Sequence, residues 1–264
     1  MMTCGHMGFA RQTLLVSGML CLPLSAATIS LGSVADTSLY QNKPDFNLGG
    51  TTLVAGTNQQ VSRSRGLFRF DLSSVPTDAV VTGVEVQLYC TRQPDPDQHG
   101  GPVPSDFSLH RLWVGWGEGA GSGTTGSVAM VGDATWNERH YLGTSWDTPG
   151  GLSGGDFASN PSATTAVGNV GLYAWGSSTE LIDDVQSWLA APSSNFGFIL
   201  VNQSEGTSGS ARRFASREQP GGLIPAPKLI ITYSTIPEPS VAGWIWLGII
   251  AASFRRKRAE LPTG

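Results

Sequence analysis

The sequence predicts an all-β domain, a β-sandwich that carries one short amphipathic helix. Three observations predict it. Apolar side chains recur at alternating positions in short segments, the period of half-buried strands. Gly, Pro, Asn and Asp punctuate the gaps, and no regular series of helices interleaves with the segments, which favours a sandwich over a parallel α/β sheet. Charged residues make up only 14% of the chain and Gly contributes 34 of 264 residues, a balance suited to an extracellular domain with many turns.

In chain order, residues 1–27 come first. Arg11 is their sole charge, an apolar stretch runs from Leu14 to Leu24, and Ser25-Ala26-Ala27 follows. That is the pattern of a secretory signal peptide, with cleavage expected after Ala27 and export as the consequence. Cys21 follows Leu20, where a lipid-anchor signal needs a small residue. Strands are then expected at Thr51–Ala55, Gly66–Asp71, Val84–Cys90 and Phe107–Val114. Val84–Cys90 alternates most regularly, with Val84, Val86, Leu88 and Cys90 on one face. Two long segments, Gln93–Ser105 (Pro and Asp) and Gly115–Gly132 (Gly and Ser), read as mobile surface loops.

The helix follows. Leu181, Ile182, Val185, Trp188 and Leu189 share one helical face, Thr179 is placed to cap it, Glu180 suits its positive end and Pro192 stops it. Such a helix would plug an edge or end of the sandwich. Strands at Phe196–Asn202, Arg213–Ser216 and Lys228–Tyr233 complete the domain. Beyond it, Val241–Phe254 is uncharged and is followed at once by Arg255, Arg256, Lys257 and Arg258. As a helix this run spans roughly 21 Å, short of the about 20 apolar residues of a comfortable membrane crossing. The basic cluster would stay on the cytoplasmic side.

Between the two ends, residues 28–236 suffice for one domain with a real core. They hold eleven Lys and Arg against eighteen Asp and Glu, a net charge of −7. That balance argues against nucleic acid as partner. Cys4 and Cys21 fall in the leader, so Cys90 has no disulfide partner and is expected to face the core.

Candidate chemistry is sparse. His99, His110 and His140 lack metal-ligand spacing and read as structural residues. Gly121-Ser-Gly-Thr-Thr-Gly126 lacks the pattern of a Ser nucleophile elbow. Glu118 and Glu138 lie in a Trp-rich region and are the carboxylates to consider for glycoside hydrolysis. A non-catalytic role is the expectation. Six Trp lie between Trp113 and Trp188, and an exposed flat Trp face stacks on sugar rings. Trp116, Trp136, Trp146 and Arg139 are therefore the candidate glycan-binding residues, with Trp188 assigned to the core. Arg69, Arg111, Arg139, Arg212, Arg213 and Arg217 are candidates to receive the carboxylates or sulfates of an acidic polysaccharide. Asp36, Asp45 and Asn47 offer hard oxygens for a structural calcium.

Two resemblances add to this reading. Pro237-Glu238-Pro239, the apolar run and Arg255–Arg258, in that order, resemble the PEP-CTERM sorting signal over residues 235–264. The resemblance implies that an exosortase-type membrane protease removes the tail after it has held the chain transiently in the inner membrane. Systems of this kind belong to Gram-negative bacteria that make exopolysaccharide. Leu261-Pro-Thr-Gly264 has the letters of a sortase motif but follows the apolar run rather than preceding it.

The second resemblance spans about 200 residues. It rests on Asp36-Thr-Ser-Leu-Tyr40, Asn47-Leu-Gly49, Arg65-Gly-Leu-Phe-Arg-Phe-Asp-Leu72, Thr135-Trp-Asn137, Trp146–Gly151, Asp184-Val-Gln-Ser-Trp188 and Phe214-Ala-Ser-Arg-Glu218. In order and spacing these resemble a DNRLRE-type domain over residues 28–234. That resemblance implies a jelly-roll-like sandwich related to carbohydrate-binding modules, and a partner among polysaccharides. The combined expectation is an exported protein of the cell surface or matrix that binds or organises exopolysaccharide. A purely structural or adhesive matrix protein and a polysaccharide-degrading enzyme are the alternatives.

Overall fold

The computed structural model describes residues 25–95, 103–219 and 224–235. The signal-peptide residues before Ser25, His99 and the whole Pro237–Arg258 sorting signal lie outside the described residues. Within them the chain is mostly β with one α-helix, as expected. No helix there is long and apolar enough to cross a membrane.

All the paired strands are antiparallel. In one set, β1 (Ser25–Tyr40) pairs through its first half with β14 (Lys228–Thr235), which pairs with β5 (Val80–Arg92). β5 also pairs with β11 (Gly171–Trp175) and β13 (Arg212–Ala215), and β13 pairs with β3 (Thr52–Thr57). In the other set, the second half of β1 pairs with β4 (Arg63–Phe70) after a register shift between Ser33 and Ala35. Next come β12 (Phe198–Asn202), β6 (Ser105–Arg111) and β10 (Ala163–Val167). β1 and β3 each pair into both sets. Short pairings join β2 (Phe46–Asn47) to β7 (Ser127–Val128) and β8 (Glu138–His140) to β9 (Thr144–Ser145).

The main core lies between the sets. Val84, Val86, Leu88 and Cys90 of β5, Leu229 and Ile231 of β14, and Phe214 of β13 meet Phe68, Phe70, Phe107, Phe198 and Leu200 of the other set. Cys90 is fully buried, and burial pushes its thiol up, which makes it an inert packing residue as expected. β4 and β12 are buried on both faces. Leu67 and Ile199 point away from the main core into a second cluster built by the excursion between Leu112 and Phe157. The unbroken apolar run Phe198-Ile-Leu-Val201 is the sequence signature of that double burial.

Two expectations need correction, and β1 begins earlier than the expected domain start. β6 ends at Arg111 rather than Val114, because the Trp113 N–H pairs with Asp156 O and the chain leaves the sheet. β1 begins at Ser25, so Ser25, Ala26 and Ala27 pair with Thr235, Ser234 and Tyr233, on the leader side of the expected cleavage point. Gly115–Gly132 is also not a loose loop. Asn47 Oδ1 accepts the Gly121 N–H at 2.9 Å, and a Cβ on Gly121 would lie 1.9 Å from Asn47 O. Only Gly lets the two backbones approach this closely.

Helix α1 (Thr179–Ala190) buries Leu181, Val185, Trp188 and Leu189, the face read from the sequence. It docks on β5 through Gln186, which accepts the Val81 N–H at 2.9 Å and donates to Ala79 O at 3.2 Å. Its cap is Ser178, one residue before the expected Thr179. Ser178 Oγ accepts the Leu181 N–H at 3.0 Å and donates to Ser162 O, tying the helix start to the chain before β10. Ser178→Ala is expected to cost about 1–2 kcal/mol. The readout is a lowered urea midpoint with an unchanged denaturant slope.

Candidate functional site

The tryptophans expected to form a sugar platform are inside the protein. Trp116, Trp136 and Trp146 are 6%, 6% and 4% exposed and pack with Leu39, Leu67, Leu112 and Ile199. Trp116 Nε1 donates to Phe196 O at 2.9 Å and Trp146 Nε1 to Thr135 O at 2.9 Å. The Trp136 ring lies against Gly150, where a Cβ would stand 2.7 Å away. The physical reason is the excursion itself. It covers the outer face of β4 and β12, and only large rings fill that second layer while handing their N–H groups to backbone carbonyls. Arg139, expected beside them on the sugar, donates to Gly115 O at 3.1 Å and pins the excursion. Among the described tryptophans only Trp113 is exposed, at 47%.

Apart from Arg212 and Arg213, the candidate arginines disperse rather than gather. Arg217 joins an acidic cluster, and Arg111 reaches Asp184 at 3.5 Å and lies over the Trp188 ring. Arg212, 1% exposed, donates to Ser210 O and Ala211 O. It shares a small pocket with Arg92 and Arg213. Arg65, noted in the sequence only within the Arg65–Leu72 motif and given no role, makes a bidentate pair with Glu205 and donates to Gly150 O and Gly151 O. Of the histidines, His110 is buried with Nδ1 2.9 Å from Ala158 O, and burial lowers its pKa. His140 Nδ1 lies 3.2 Å from Gly132 O.

Gly151-Leu-Ser-Gly-Gly155 has the letters of a nucleophile elbow and was missed in the sequence. It sits in a turn with no helix after it, and Asp156 uses its carboxylate to accept the Leu152 and Asp147 N–H groups.

Charge concentrates elsewhere. Asp36 of β1, Glu118 of the excursion and Glu218 after β13 each place a carboxylate oxygen within 4.8 Å of the others. Asp36 is 1% exposed. Its Oδ2 accepts Ser33 Oγ at 3.1 Å and the Arg217 N–H at 2.9 Å. Glu118 Oε1 accepts the Asp36 N–H at 2.8 Å, and its carboxylate takes Arg217 Nε and Nη2 at 2.7 and 2.9 Å. Arg217 Nε also lies 2.8 Å from Glu218 Oε1. Burial, helped by the nearby negative charges of Glu218 and Glu118, raises the Asp36 pKa to about 7, against the opposing bonds from Arg217 N–H and Ser33.

Of the three residues that offer hard oxygens near the domain start, only Asp36 enters this cluster. Asn47 is fully buried and its amide is consumed by the backbone: Oδ1 accepts Gly49 N–H and Gly121 N–H, and Nδ2 donates to Glu118 O and Ala134 O. Asp45 is exposed and outside the cluster. Three carboxylates are hard-oxygen groups of the kind calcium takes. The second candidate hydrolytic acid, Glu138, accepts the Leu142 N–H at 3.0 Å. No family model matches the chain, and no curated protein matches it significantly.

Proposed function

We propose that the chain is an exported, non-catalytic protein of the cell surface or extracellular matrix that binds or organises exopolysaccharide. The finer reading of the fold is a jelly-roll-like sandwich of the DNRLRE type. Delivery is through residues 1–27 and the PEP-CTERM-like tail, with Pro237-Glu238-Pro239 and Arg255–Arg258 as the recognised parts. An exosortase-type protease is the processing partner, and the inner membrane the transient one.

The observation that carries the proposal is the tripartite tail on a mostly β chain whose paired strands are all antiparallel. The engagement of Glu118 by Arg217 and of Glu138 by the Leu142 N–H supports a role without bond cleavage. The burial of Trp116, Trp136 and Trp146 favours one alternative, a structural or adhesive matrix role without an aromatic glycan groove. A structural calcium at Asp36, Glu118 and Glu218 belongs to the same proposal. It would leave Arg217 to pair less closely with Glu118 and Glu218.

The test is affinity electrophoresis of the full-length chain in mild detergent, through gels containing neutral or acidic polysaccharides, with calcium or EDTA. Retardation by a polysaccharide is expected, and weaker retardation in EDTA would add a divalent cation to the account. Migration unchanged by every polysaccharide would move the proposal to the structural role.

A further inference from the structure

Four aliphatic side chains stand in solvent on two adjoining turns. Val128, Met130, Val131 and Leu142 are 63%, 74%, 76% and 69% exposed. Hydrogen bonds between the turns bring them together: Gly132 N–H donates to Tyr141 O at 3.0 Å and Tyr141 N–H to Asp133 O at 2.7 Å. Val128 pairs with Phe46, and Ala129 N–H donates to Asp45 O, which sets the turns beside the segment 43–46. Single exposed apolar residues are ordinary, but a concentration of them marks an interaction surface.

The backbone of these tips is prepared for an apolar medium. Met130 N–H donates to Asp133 Oδ2 at 2.9 Å, Asp133 N–H to Met130 O, Leu142 N–H to Glu138 Oε2 at 3.0 Å and Gly143 N–H to His140 O. Two neighbouring carboxylates are thereby spent on backbone. Residues 119–132 carry no charge, nor do residues 141–146. Leu142 sits at φ 56, in the left-handed region that glycine or asparagine takes at less cost. A leucine held there in solvent stores strain that no packing within the fold repays. Val61, 61% exposed at φ 58, does the same on the β3–β4 turn, where Ser62 Oγ accepts the Asn42 N–H at 3.0 Å next to Lys43.

We propose that these tips dock into the interfacial layer of a zwitterionic lipid bilayer, a contact that goes beyond the polysaccharide reading and does not depend on it. Side chains this exposed project rather than line a groove, and so fit a deformable apolar phase rather than a shaped protein pocket. Backbone groups that approach hydrocarbon must be satisfied within the chain, as those above are. Tyr141 and Phe46, both half-buried beside the tips, suit headgroup depth, where aromatic rings gather. Lys43, with its ammonium 5.0 Å from the Phe46 ring centroid, and Asp45 are exposed at the margin and answer the phosphate and the ammonium of a headgroup. The net charge of −7 over residues 28–236 opposes an anionic surface. The tips follow Tyr40 at one end of β1, whereas Thr235 pairs with Ser25 at the other. They therefore stand away from the point where the chain leads into the apolar run.

The test uses the full-length chain in nanodiscs, with Cys4→Ser and Cys21→Ser and a polarity-sensitive NBD label at Val131→Cys. Cys90 is fully buried and stays unlabelled. Phosphatidylethanolamine and phosphatidylcholine with brominated chains are supplied either in the disc or in added vesicles. The emission at 131 is expected to shift to the blue and to be quenched at least twofold in one of the two arrangements. A label at Leu172→Cys, exposed on β11, is expected to show neither change. Met130→Ser with Leu142→Asn is expected to abolish the quenching at 131 without lowering the unfolding temperature. A blue shift that brominated lipid does not quench would assign the tips to a protein partner and overturn the proposal. Equal quenching at 131 and 172, quenching that survives the double substitution, or no change at 131 in either arrangement overturns it as well.

Discussion

Replacing Asn47 by alanine is expected to destabilise the domain by on the order of 4 kcal/mol. The side chain joins four backbone groups at 2.7–2.9 Å: Gly49 N–H and Gly121 N–H on its oxygen, Glu118 O and Ala134 O on its nitrogen. A longer contact of 3.3 Å reaches Thr37 Oγ1. Asn47 is fully buried. Truncation leaves those groups without a partner, at about 1–3 kcal/mol each where water does not reach them. Asn47→Asp is expected to be nearly as damaging, since a carboxylate has no N–H for the two carbonyls. Urea denaturation measures both, and limited proteolysis reads whether 115–126 has loosened. A loss below about 1 kcal/mol in Asn47→Ala, with no new cleavage, would show that the excursion is held by other contacts.

The second large effect is a stability that falls as pH rises. Asp36 in the folded chain titrates near 7, above its ordinary 3.8, chiefly because burial penalises the charged carboxylate. The folded state therefore holds the proton more tightly than the unfolded chain. Its contribution is complete below about pH 4 and is lost progressively as pH rises through about 7. At about 1.4 kcal/mol per pH unit the loss is on the order of 4 kcal/mol. Glu118, Glu218 and Arg217 are the charged groups that face Asp36. Asp36→Asn keeps an acceptor for Ser33 Oγ and the Arg217 N–H but removes the charge, so the slope between pH 4 and 8 should flatten. Melting temperatures across that range check it. A slope that survives the substitution would assign the effect to another group. Calcium bound at the three carboxylates would favour ionised Asp36 and reduce the slope in the wild type.

These two residues mark where sequence reasoning stopped. Asp36 and Asn47 both stood out as oxygen-rich positions near the start of the domain. Nothing in their spacing showed that Asn47 would face backbone from residues 118–134, or that Glu118 and Glu218 would join Asp36 from 82 and 182 positions away. β1 was invisible for a related reason. Its small Ser, Thr, Gly and Ala residues give little apolar alternation, and pairing with β14 and β4 rather than local pattern makes it a strand.

What the sequence determined by itself is everything with a short period. The alternation of Val84, Val86, Leu88 and Cys90 required a strand with one buried face, and Leu181, Val185, Trp188 and Leu189 required a helix with one buried stripe. The physics there is local, since backbone geometry sets which side chains share a face. Tertiary structure alone decided which face of a Trp meets water, which carboxylates share a field and which buried polar atoms find partners. Burial and electrostatics depend on which distant segments come within a few ångströms. The excursion over β4 turned Trp136 and Trp146 inward, and the meeting of β1, the excursion and the segment after β13 placed three acids around Arg217.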